Sequence, residues 1–245
     1  MENLEKEFKK IKNSDNSNEI NDFLIKLGKN PQANQITFLN YFIETIDTNI
    51  LEKIKINVIY SLGEIGKKEE LDDKYIDYLI NEYYKSDRWV RNEVIIAFNK
   101  ISTKVLLAEN AIRLIGNSLN EDYTKIKKNA LEALLHIDNI PKQVLENVLH
   151  ILNSTNTELE NLGLKLLKKN IFNEKDLYNL LNTSENYKIL KKKGIRVLLS
   201  DFFNFLNHLE PFKERILKTD DWDDMQKSIF LTEIEIYERL LLKII

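Results

Sequence analysis

Apolar residues recur along this chain at a spacing that belongs to helices, and the pattern itself returns every 31–36 residues. Residues 54–65 read Ile-Lys-Ile-Asn-Val-Ile-Tyr-Ser-Leu-Gly-Glu-Ile, residues 90–101 Val-Arg-Asn-Glu-Val-Ile-Ile-Ala-Phe-Asn-Lys-Ile, and residues 126–137 Ile-Lys-Lys-Asn-Ala-Leu-Glu-Ala-Leu-Leu-His-Ile. Each copy places apolar or small side chains at offsets 0, 4, 7, 8 and 11, which in the second are Val90, Val94, Ala97, Phe98 and Ile101. Those offsets fall on one stripe of a helix. The anchors Ile54, Val90 and Ile126 stand 36 apart, Leu159 and Leu190 continue at 33 and 31, and Met225 closes the series at 35. A degenerate copy lies around residues 20–28.

A second amphipathic helix is expected between these copies, at 32–46, 72–85, 106–119, 141–152, 173–181 and 210–217. Pro31, Pro141 and Pro211 stand near the starts of three of them, where a missing N–H is tolerated. Residues 153–157 and 182–186 read as connecting loops, and no strand alternation stands out. One such pair cannot bury its apolar face, but stacked pairs can. The expectation is an all-α fold, an α-solenoid of about six antiparallel helix pairs. It forms a single domain over 1–245, with 1–30 and 201–245 as capping helices and 31–200 as the best-matching repeats.

These residues resemble HEAT repeats, particularly the short kind of the phycocyanobilin-lyase-like HEAT proteins. The resemblance rests on Ile54-Lys55 followed by Leu62-Gly63-Glu64-Ile65-Gly66, and on Asp87, Val90-Arg91, Ala97-Phe98 and Ile101. It covers roughly residues 30–200 and implies a right-handed superhelix whose second helices line the concave side. In the family, an Asp in the inter-helix turn and a basic residue early in the second helix often form a ladder between repeats. The basic position here is Lys55, Arg91, Lys127 and Lys191, interrupted by Glu160, and the acidic one is clear only at Asp87. Some HEAT-like solenoids act on bilins or damaged DNA bases, so a lyase or other enzyme is one alternative.

Composition narrows the chemistry. The 245 residues include no cysteine, which removes disulfides, thiolate metal sites and a cysteine nucleophile. There is no phosphate-binding glycine loop, HExxH or nucleophile elbow. His136, His150 and His208 read as ordinary helix residues. Asp220, Asp221, Asp223 and Asp224 around Trp222 read as acidic residues at a helix start, with an oxygen-ligated cation as the alternative. No catalytic residue, cofactor or metal ligand is therefore assigned. The acidic first residues and the absence of an apolar run of about 20 predict a cytoplasmic protein with no secretory leader and no membrane span.

What remains is surface. The face opposite the buried stripe holds offsets 2, 5, 6 and 9. Offset 5 is Ile59, Ile95, Leu131, Leu164 and Ile195, expected to pack against the neighbouring repeat and otherwise a docking ridge. Lys125, Lys128, Lys165, Lys168, Lys192 and Arg196 lie at or near that face. Residues 121–200 carry a local net charge of +3 and residues 201–245 a net of −4. Lys191-Lys192-Lys193 reads as part of a repeat face rather than a localisation signal. Arg88-Trp89 combines the residue types of a binding hot spot. The expected function is a non-catalytic scaffold or adaptor holding a protein partner, an acidic or phosphorylated segment, through Arg88, Trp89, Lys128, Lys165, Lys192 and Arg196. A nucleic-acid-binding solenoid gripping phosphates is the second alternative, disfavoured by the overall charge of −3.

Overall fold

In the computed structural model, which describes residues 2–244, every repeat copy is helical and no strand occurs among the described residues. Fourteen α-helices among them follow one another in seven pairs. These are α1 (Glu2–Ile11) and α2 (Ser17–Lys29), α3 (Ile36–Glu44) and α4 (Thr48–Gly66), α5 (Asp73–Lys85) and α6 (Arg88–Ser102), and α7 (Glu109–Asn117) and α8 (Thr124–Leu135). They continue with α9 (Lys142–Ile151) and α10 (Thr157–Asn170), α11 (Glu174–Asn182) and α12 (Lys192–Phe202), and α13 (Leu206–Lys218) and α14 (Asp224–Ile244). The pair beyond the expected six is the N-terminal one. Its degenerate sequence still buries Ile20, Leu24, Leu27 and Gly28 at offsets 0, 4, 7 and 8.

Two compact units result, one formed by Met1–Ile115 with Asp122–Ile137 and the other by Gly116–Glu121 with Asp138–Ile245. In the first, α2, α4, α6 and α8 stack in order, with α3 against α4 and α5 against α6. The comb explains the stacking: Ile54, Val58, Leu62 and Ile65 are buried on α4, and Val90, Val94, Ala97, Phe98 and Ile101 on α6. Each such aliphatic contributes about 1.5–3 kcal/mol. Gly63 sets how closely two of these helices approach, because a Cβ there would stand 2.8 Å from the Ala97 Cα. Asp47 and Asp87 cap α4 and α6 by accepting hydrogen bonds from the first free backbone N–H groups.

In the second unit α9 packs on α10, α12 on α14, α11 on α13 and α13 on α14. Offset 5 packs inward across both units: Ile59, Ile95, Leu131 and Ile195 are buried, and Leu164 is partly so. They form no docking ridge.

Two expectations shift in the last pair. Met225 is 75% exposed, so it is not the final anchor. The buried stripe of α14 is Phe230, Glu233 and Ile234, which moves the anchor to Gln226. Its side-chain amide donates to the Tyr187 and Leu190 carbonyls at 3.0 and 2.9 Å, doing with hydrogen bonds what an aliphatic does in other copies. Pro211 lies in the second turn of α13 rather than at its start, because the helix already begins at Leu206.

Candidate partner-binding face

In the first unit Trp89 and Tyr123 meet where two second helices begin. Asp87 Oδ1 accepts from the Trp89 and Val90 N–H groups at 2.9 and 3.1 Å and so fixes the first turn of α6. This turn presents Arg88 and Trp89 beside Tyr123, the residue before α8. The Trp89 and Tyr123 rings meet edge to face at 5.8 Å, and the Arg88 guanidinium lies 4.9 and 5.7 Å from their centroids. Trp89 covers the end of the neighbouring helix yet stays 53% exposed. Further along α8, half-buried Lys128 stands 4.0 Å from Glu132, which also accepts from Asn99.

The second unit holds the other expected cations, in two states. Lys165 on α10 and Lys192 on α12 are exposed, and among the described residues no ion pair is seen for either. Arg196 is committed: its Nε and Nη2 donate to the two oxygens of Glu233 at 2.6 and 3.1 Å. Glu233 is buried on α14. Lys168 and Lys193 likewise pair with Asp201 and Glu160, at 2.9 and 2.6 Å. Part of the positive charge counted along the sequence is thus matched locally, while Lys165 and Lys192 are among the lysines that face solvent without an ion pair among the described residues.

No protein-family model matches the chain, and no curated protein matches it. Solved structures do. An engineered protein from the Northeast Structural Genomics Consortium aligns over 96% of this chain and 97% of its own, at 16% identity and a TM-score of 0.52. A second from the same consortium covers 95% of this chain and 68% of its own, at 15% identity and a TM-score of 0.56. A designed armadillo repeat protein, solved in complex with the peptide (KR)4, covers 95% of this chain and 98% of its own, at 13% identity and a TM-score of 0.50. The chain is a helical-repeat solenoid.

Other sequence candidates find structural places in this solenoid. His136, His150 and His208 are exposed. Trp222 is buried and stacks on Tyr187 at 4.5 Å, while its indole N–H donates to Asn182 at 2.9 Å. Asp223 accepts from the Gln226 N–H at 2.9 Å, the geometry of an acidic helix start. Among the described residues no group of three or more His, Asp or Glu is placed to hold a metal ion. No helix among them is long and apolar enough to cross a membrane.

The apolar stripe of the repeat assigns no role to the asparagines. In the first unit they link successive second helices: Asn57 donates to Asn21 at 2.7 Å, and Asn129 to Asn92 at 3.1 Å. Offset 3 of the repeat holds Asn57, Glu93 and Asn129, while the partners Asn21 and Asn92 fall at offsets 1 and 2, so no single column of the alignment carries the pairing. Glu93 is the exception in that row. Its burial, with Glu64 nearby, raises its carboxyl above the usual range against the opposing pull of Lys100.

Proposed function

We propose that the chain is a non-catalytic scaffold of the HEAT type that holds a protein segment along its second helices. The observation carrying this is the pair of exposed, uncompensated cations Lys165 and Lys192, to which Arg196 adds an outward edge. They favour an acidic or phosphorylated segment. Arg88 and Trp89 supply a rigid aromatic contact of the kind that dominates binding energies. The designed armadillo repeat protein holding a (KR)4 peptide supports peptide capture by this architecture. Its peptide is basic, and the uncompensated lysines here favour the opposite charge.

Fluorescence anisotropy with a labelled oligoglutamate peptide and a labelled Lys-Arg peptide tests the reading. The expected result is tighter binding of the acidic peptide, weakened by charge reversal at Lys165 and Lys192 with helicity unchanged. Preference for the basic peptide, or indifference to the reversal, overturns it. Tight binding of single-stranded DNA with a steep salt dependence points instead to phosphate gripping.

A further inference from the structure

A cleft of about 510 Å³ opens in the second unit beside the turns that precede α9 and α11. Its size falls within the range of about 300–1,000 Å³ common to small-ligand pockets. Ile140, Leu145, Ile171 and Leu180 line it with aliphatic surface. Phe172, also in the lining, is 82% exposed, an unusual position for a phenyl ring that has a cleft beside it to cover.

The charges of this cleft are unevenly matched. Asp138 is bound by Lys169 at 2.8 Å. Asp176 sits in the first turn of α11, where the helix dipole favours it, and accepts from the Phe172 N–H at 3.4 Å. Lys142, in the first turn of α9, lines the same cleft, and no ion pair is seen for it. Asn179 adds a side-chain amide to the lining. An aliphatic surface, an exposed phenyl beside it, an ammonium with no ion pair among the described residues and a neutral donor match one chemistry: a compact apolar body bearing a single negative charge.

We propose that this cleft binds an apolar monocarboxylate, its hydrocarbon against Leu145 and Ile171, its carboxylate on Lys142, and the Phe172 ring laid over it.

Saturation-transfer NMR on the full chain tests it, with 4-phenylbutyrate as probe and its uncharged amide as the comparison. The acid is expected to bind and the amide to bind about tenfold or more weakly, the scale of one charge-assisted hydrogen bond. Lys142→Glu is expected to weaken the acid by a similar factor and leave the amide unchanged, and Phe172→Ala to weaken both. Lys165→Glu, outside the cleft, serves as the charge control. Lys142 and Phe172 are exposed, so these variants keep the fold, which far-UV circular dichroism verifies. Absence of transfer from 4-phenylbutyrate, equal binding of acid and amide, or indifference to Lys142→Glu overturns the proposal.

Discussion

The two units use the same repeat but join their second helices differently. In the first, α4 and α6 come close enough that Gly63 faces the Ala97 backbone. Most links along the row are neutral, Asn57 to Asn21, Asn129 to Asn92, and the Ser61 hydroxyl to the Leu24 carbonyl at 2.8 Å, with Lys100–Glu64 at 2.9 Å as an ion pair between α6 and α4. In the second, α10 and α12 are bridged by Lys193–Glu160 and Lys168–Asp201, and α12 and α14 by Arg196–Glu233. Small residues at the contact allow close approach and short polar links. In the second unit more of the links between successive second helices are charged.

The largest expected effect attacks the close approach. Gly63→Val drives two methyls toward a backbone that cannot move aside, and is expected to cost about 2–3 kcal/mol in urea unfolding. Retention of wild-type stability would mean that the α4–α6 spacing is adjustable.

Next comes the buried lysine of the first unit. Lys55, nearly buried, pairs with Glu52 at 2.6 Å and Glu82 at 3.0 Å. Burial alone would lower its pKa, but hydrogen bonds to the two carboxylates outweigh that and hold it above 10.5. Lys55→Met leaves Glu82 short of its partner and is expected to cost about 2 kcal/mol, much of it recovered by adding Glu82→Gln. Because the folded-state pKa is raised, the stabilisation is present at neutral pH. It is lost only as pH climbs past 10.5 and through that raised value. Equal stability losses at pH 7 and at pH well above 11 (about the deprotonated limit) would contradict the pairing.

In the second unit, Arg196→Ala removes the counter-ion of buried Glu233. A lower melting temperature is expected, restored in part by Glu233→Gln. High salt should hasten hydrogen exchange in α10 and α12 more than in α4 and α6, since exposed pairs are screened. Equal salt response in both sets of helices would erase the contrast between the units.

The smallest effect is a gain. Glu93 has a raised folded-state pKa, so its ionised form disfavours folding once pH rises above the ordinary carboxylate value of 4.5. Glu93→Gln is expected to stabilise the chain by about 0.5 kcal/mol at pH 7 and by less as pH falls toward that value. A destabilised variant at neutral pH would show that the carboxylate has a partner of its own.

The sequence made the architecture legible because burial follows helical period: offsets 0, 4, 7, 8 and 11 of the second copy are buried without exception. Three features were not. The shift from Met225 to Gln226 depends on two carbonyls brought near by another pair. The Asn links form between residues 36 or 37 apart, and nothing in the local pattern separates them from surface asparagines. The charge state of the candidate face depends on which lysine meets a carboxylate, so Arg196 and Lys192, similar in sequence, end up paired and unpaired. The cleft beside Phe172 left no sequence signature, since its aliphatic lining looks like any core and only the fold leaves Phe172 outside.

The central claim, a protein-binding scaffold with an electropositive contact face, is tested most directly by capture. The tagged chain and its Lys128→Glu/Lys165→Glu/Lys192→Glu variant are used to recover partners from native lysate, each with and without nuclease, and the eluates are compared by mass spectrometry. The account predicts a protein partner that survives nuclease with the native chain and is lost with the variant, whose helicity is unchanged. A partner retained equally by both, or recovery of nucleic acid alone, would contradict it.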